Sequence, residues 1–116
     1  MAKPGADIDG FIDLIAADEV PEGEGRYVEV QDRVLAVFRC EGEFYVTDNT
    51  CPHAGGNLAG GYFEGRILFC PWHHWPFDIK TGRCPQSQSI WVQTYPARVE
   101  SGRVQADLRG HDGSGE

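Results

Sequence analysis

The sequence predicts an all-β domain, and three observations carry that prediction. No window holds apolar residues at helical spacing over three turns. Short apolar runs instead alternate with turn signals roughly every 8–12 residues. The last run, Arg103 to Leu108, alternates cleanly: Val104, Ala106 and Leu108 share one face, and Arg103, Gln105 and Asp107 the other.

Taken in order, residues 1–10 read as a flexible lead-in, residues 11–108 as a single domain, and residues 109–116 (with His111) as a flexible, solvated tail. Phe11 to Ile15 is a short strand, and Ala16 to Glu19 one helical turn stopped by Pro21 and Gly23. A meander follows. Tyr27 to Val30 turns at Gln31-Asp32-Arg33 into Val34 to Arg39, and Glu41-Gly42-Glu43 turns that strand into Phe44 to Thr47. Ile67 to Phe69 is a strand, as is Phe77 to Ile79, which turns at Lys80-Thr81-Gly82. Val92, Thr94 and Tyr95 precede Pro96; Ala97 to Val99 then turns at Glu100-Ser101-Gly102 into the final strand.

Composition narrows the function classes. The chain has 116 residues, enough for one domain with a core that needs no disulfides. Its net charge is −8 with no run of Lys or Arg, so a phosphate backbone would repel it and nucleic-acid binding is not expected. No stretch approaches the roughly 20 apolar residues of a spanning helix, and the first ten residues lack the apolar core of a secretory signal. The expectation is a cytoplasmic protein with no membrane partner. In a reducing compartment Cys40 reads as a small buried hydrophobe, and a Cys40–Cys84 disulfide is disfavoured. Asp48 and Asp78 read as turn or surface carboxylates, with no hydrolytic constellation around them.

Two stretches stand apart, Cys51-Pro52-His53 and Cys70-Pro71-Trp72-His73, with sixteen residues between His53 and Cys70. The strand ending at Thr47 runs into the first, and Ile67 to Phe69 runs into the second. Two thiols and two imidazoles in a small domain read as a metal site. A structural zinc site usually pairs like with like, whereas here each pair is mixed, which suits a binuclear centre taking one ligand per iron from each loop. Pro52 and Pro71 pre-set φ between the ligands. Gly55 and Gly56 let backbone approach a cluster closely, while Gly60 and Gly61 read as ordinary turn glycines.

The spacing C-x-H, sixteen residues, C-x-x-H resembles the Rieske proteins, and the resemblance covers nearly the whole chain. It implies a Rieske iron–sulfur fold: antiparallel β-sandwich or barrel-like sheets with a cluster-binding part, about residues 48–86, formed by two loops. By that likeness Thr50 to Leu58 and Phe69 to Thr81 are the loops, Cys51 and Cys70 bind the inner iron of one [2Fe–2S] cluster, and His53 and His73 bind the outer iron. Two ferric ions, two sulfides and two thiolates sum to zero charge, so adding an electron is easier than in a four-Cys cluster. High-potential relatives carry cysteines where this chain has Gly56 and Trp72, and Ser and Tyr hydroxyls where it has Trp75 and Phe77. Missing those donors, the expected potential is low, about −150 mV. His74, where many relatives have Gly, is not expected to be a ligand, because it would break the spacing. Trp72 and Trp75 are expected to shield the cluster, and Trp91 to pack in the core.

The resemblance implies a ferredoxin, an electron carrier with no small-molecule substrate of its own. Its expected partners are a flavin-dependent ferredoxin reductase and a terminal oxygenase, as in aromatic-ring dioxygenase systems. A Rieske oxygenase would need a further mononuclear-iron domain for which this chain has no residues. Two alternatives stay open: a small subunit of a nitrite reductase, many of which lack the ligands, and a structural zinc module, which would be colourless rather than red-brown.

Overall fold

The apolar run Val34 to Phe38 is continuous rather than alternating, as in strands buried on both faces. The computed structural model, which describes residues 11–31, 33–49, 57–71 and 75–108, shows what covers each face. The strands are β1 (Phe11–Ala16), β2 (Gly25–Val30), β3 (Arg33–Cys40), β4 (Glu43–Asp48), β5 (Tyr62–Glu64) and β6 (Ile67–Phe69). They continue as β7 (Pro76–Asp78), β8 (Arg83–Cys84), β9 (Ser87–Trp91), β10 (Thr94–Tyr95), β11 (Ala97–Glu100) and β12 (Arg103–Asp107). Short 3-10 helices span Ala17–Glu19 and Leu58–Gly60.

Strand β3 separates two cores. Leu35 and Val37 face Val20, Val46, Tyr95, Val104, Ala106 and Leu108, between the sheets β10-β4-β3-β2 and β1-β12-β11. Ala36, Phe38 and Cys40 face the other way, onto Leu58, Leu68, Cys70, Phe77, Ile79, Cys84 and Val92. That second core is roofed by the sheet β5-β6-β7 and the hairpin β8-β9. Phe63 meets Phe38 edge-to-face, with ring centroids 5.5 Å apart. The all-β expectation therefore holds, and it resolves into a sandwich and a smaller layer that share one strand.

Register follows from tight turns. Cys40 pairs with Glu43 and Glu100 with Arg103, so the connections are the two-residue loops Glu41-Gly42 and Ser101-Gly102. All four of these loop residues have positive φ, as loops matching the right-handed twist of a hairpin require. Glu22 braces the first loop by accepting the N–H groups of Glu41 and Gly42 at 2.6 and 2.9 Å.

Among the elements that the sequence reading placed, three details differ. The helical turn is a 3-10 helix that begins one residue later, at Ala17, because β1 extends through Ala16. Strand β7 begins at Pro76, which an edge strand tolerates because no ladder N–H is needed there. The polar face of β12 is also covered, with Gln105 and Asp107 only 7% and 4% exposed. Gln105 is satisfied there by the Arg98 Nε–H at 2.9 Å.

Candidate metal centre

Cys70 directly follows β6 and is fully buried in the core it shares with Leu58, Leu68 and Phe77. Strands β6 and β7 pair through Phe69 and Pro76, and the Cys70 N–H then donates to the Trp75 carbonyl at 2.8 Å. The second motif is thus closed at its base by the described residues on either side of it. Trp75 is half-buried against the same core.

The first motif is held as firmly at its two ends. Before it, the Asp48 N–H donates to the Gln93 carbonyl at 3.0 Å and the Asn49 N–H to the Val34 carbonyl at 3.1 Å. After it, the Leu58 and Ala59 N–H groups donate back to the Asn49 backbone and side-chain oxygens. Gly61 then passes against β6. A Cβ there would strike the Phe69 carbonyl oxygen and sit 3.0 Å from Leu68 Cδ1. Gly61 is therefore not the ordinary turn glycine expected; its bareness lets the exit of the first loop lie against the strand that enters the second.

Cys51, His53 and His73 lie outside the described residues, as do Pro52, Gly55, Gly56, Trp72 and His74. Among the described residues no group of three His, Cys, Asp or Glu could hold a metal, as follows when three of the four expected ligands fall outside them. Cys40 is a buried free thiol, as expected, and Cys84, on β8, is a buried free thiol too. The Cys40 Sγ–H donates to the Gly65 carbonyl at 3.2 Å, and burial, with Glu41 and Glu22 nearby, pushes its pKa up, which keeps it an unreactive thiol. Phe77, fully buried opposite Leu68, offers no hydroxyl, and Trp91, expected to pack in the core, is only half-buried on β9 across from Arg83 and belongs to neither core cluster.

Two contributors were not anticipated. Asp48 is not a simple surface carboxylate: its Oδ1 accepts the Tyr95 hydroxyl at 2.6 Å, and Arg33 Nη1 donates to the same hydroxyl at 3.3 Å. Burial and this bond to Asp48 push the Tyr95 pKa far above its usual value. Asn49 is the other. Its one sequence signal is its type, since an Asn side chain can imitate a backbone acceptor at the end of a strand.

The described geometry is that of two loop bases in contact, with a buried Cys at the root of one. A family model for the Rieske [2Fe-2S] domain matches residues 10–96. The chain belongs to the Rieske [2Fe–2S] family. It carries a single [2Fe–2S] cluster and is an electron-transfer protein rather than a catalyst. Among its relatives, the ferredoxin component of the naphthalene 1,2-dioxygenase system of Pseudomonas aeruginosa is 43% identical over 101 residues, covering 84% of this chain and 95% of the relative. The solved Sphingomonas yanoikuyae B1 ferredoxin is 38% identical with a TM-score of 0.75, covering 84% of this chain and 97% of that one. The ferredoxin in a complex of reduced oxygenase and oxidized ferredoxin of carbazole 1,9a-dioxygenase is 28% identical with a TM-score of 0.77, over 89% and 97% of the two chains.

Of the four expected ligands only Cys70 is described, and its setting fits a Rieske cluster. Cys70 offers a thiol in an apolar surround where an unpaired charge would be costly and a metal-bound thiolate is compensated. The bare backbone at Gly61 leaves the two loop bases in contact. Among the described residues no helix is long and apolar enough to cross a membrane.

Proposed function

We propose that this Rieske protein is the ferredoxin component of a multicomponent oxygenase system, acting in the cytoplasm. It accepts one electron at a time from a flavin-dependent ferredoxin reductase and delivers it to a terminal oxygenase. The observation that carries this reading is the match to relatives named as ferredoxin components over 95% of the relative's length. Residues 11–108 form the domain, with about 48–86 as its cluster-binding part.

Within that part Cys51 and Cys70 hold the inner iron, and His53 and His73 the outer iron. When bound, the cluster supplies a one-electron couple. The chain keeps the Cys70 thiolate away from water, offers two neutral imidazoles so that the oxidised centre is uncharged, and fixes both loops at their bases. Phe77 withholds a hydroxyl that would favour the reduced state, which supports a potential near the low end of the Rieske range, about −150 mV.

EPR of the dithionite-reduced protein tests the ligand set. Wild type gives a Rieske-type signal, Cys51→Ala, His53→Ala, Cys70→Ala and His73→Ala abolish it, and His74→Gly keeps both iron and signal. Loss of iron in His74→Gly would reverse the assignment of the second His, and a redox midpoint well above zero would overturn the low potential. For the partners, the reduced protein is expected to be reoxidised by a ring-hydroxylating terminal oxygenase. Stable association with a nitrite reductase instead would replace the shuttle with a subunit role.

A further inference from the structure

Asn49 stands two residues before Cys51 and is only 6% exposed. Its polar groups reach three partners. The backbone N–H donates to the Val34 carbonyl at 3.1 Å, the backbone carbonyl accepts the Leu58 N–H at 2.7 Å, and Oδ1 accepts the Ala59 N–H at 3.0 Å. A single backbone carbonyl would normally serve one of two successive amides. Here the side-chain amide stands in as a second carbonyl, so one residue receives both N–H groups that open the 3-10 helix Leu58–Gly60. No side chain of that helix caps it from within: its N-cap residue, Asn57, makes no side-chain cap bond. Asn49 thereby ties residues 58 and 59 to position 49, the described flanks of the stretch that carries Cys51 and His53, through its backbone and side-chain oxygens. Leu58 is fully buried in the core with Cys70, so the clasp is anchored to the layer from which the second loop springs.

We infer that Asn49 is a positioning residue for the cluster, and that its side-chain oxygen sets how firmly the first loop holds iron. The inference rests on Cys51 and His53 being ligands. Removing Oδ1 leaves the Ala59 N–H without an acceptor in a part-buried site, a loss that typically costs about tenfold or more in an equilibrium constant. That loss falls on the tie between Asn49 and residues 58–59, which joins the two described flanks of the stretch carrying Cys51 and His53.

Iron release to a ferrous or ferric chelator, followed by loss of visible absorbance, tests this on the purified holoprotein. Asn49→Ala is expected to release iron about tenfold faster than wild type, with a reduced-state EPR signal broadened by a spread of loop conformations. Asn49→Asp, which keeps an oxygen in place of Oδ1, restores the wild-type release rate and line width. Gln105→Ala, which removes an equally buried side chain from the sandwich, releases iron at the wild-type rate. Unchanged release in Asn49→Ala, failure of Asn49→Asp to restore it, or equal acceleration in Gln105→Ala would each overturn the inference. Should Asn49→Ala not fold, hydrogen exchange of wild type decides: the Leu58 and Ala59 amides exchange as slowly as those of β3 if the clasp holds, and as fast as open-loop amides if it does not. A colourless wild type would sink the ligand assignment itself, whereas a coloured wild type with an unaltered Asn49→Ala sinks only the clasp.

Discussion

The Tyr95 hydroxyl sits between a carboxylate and a guanidinium, donating to Asp48 and accepting from Arg33, whose charge also lies 5.8 Å from the ring centroid. Tyr95→Phe leaves the half-buried Asp48 without that donor and is expected to cost about 1–2 kcal/mol in chemical denaturation. The pH dependence has a definite sign. Burial, then Asp48, raise the folded-state pKa above that of the unfolded chain, so the contribution is fully present below about pH 10 and is lost as pH rises further. Wild type should lose stability above about pH 10 more steeply than Tyr95→Phe, and parallel curves would refute the role. Phe77 invites the opposite change. Phe77→Tyr supplies the hydroxyl that the resemblance places near the cluster in high-potential relatives, and a hydrogen bond favouring the reduced state by about 1 kcal/mol raises a one-electron potential by roughly 40 mV. A redox titration showing no rise would mean the hydroxyl finds no acceptor there. The two Cys/His motifs that mark the family were legible in the sequence because each spans only a few residues. Neither Asp48–Tyr95 nor Asn49–Ala59 could be read there, since the partners lie 47 and 10 residues apart and meet only when β4 is placed beside β10 and the first loop is closed.

Elements with strong local signals were read nearly to the residue. Strands β2, β3, β4, β11 and β12 are apolar or alternating runs joined by polar turns, and local pattern alone determines them. Strands β5, β8 and β9 were missed. They are short and carry glutamate, arginine, serine and glutamine, with no period of two to detect; pairing in the smaller layer defines them. The turn chemistry shows where the sequence is less than ideal. Ser101 holds φ of 52° ahead of Gly102 at 77°, a position where Asn is preferred because it tolerates left-handed backbone better than Ser. Ser101→Asn should stabilise the β11–β12 hairpin by about 0.5 kcal/mol and raise the denaturation midpoint without changing the visible spectrum. No gain would mean that the backbone N–H of Ala17, which donates to the Gly102 carbonyl at 2.8 Å, already fixes the turn.

At the scale of the molecule, the two cores divide the labour. The sandwich core of Leu35, Val37, Val46, Tyr95, Val104 and Ala106 includes no residue of either loop. The smaller core contains Cys70 itself, along with Leu58 at the exit of the first loop and Phe77 within the second. A two-layer all-β plan was legible in turn spacing, but this division was not. It arises because β3 is buried on both faces, which the continuous run from Val34 to Phe38 permits without specifying what lies on each side. On the proposed ligand set, removing iron and sulfide leaves Cys70 as an ordinary buried thiol in the smaller core. Local opening should then follow the weaker unit. Hydrogen exchange of the apoprotein is therefore expected to accelerate by at least about tenfold across 57–92, while β1, β11 and β12 keep the protection they have in the holoprotein. The shared strand supplies its own control. Its Leu35 and Val37 contacts persist without the cluster, so β3 amides should remain slow even as β5 to β9 open. Equal acceleration in β1 and β12 would show instead that β3 couples the two layers into one cooperative unit, with the cluster holding the whole fold.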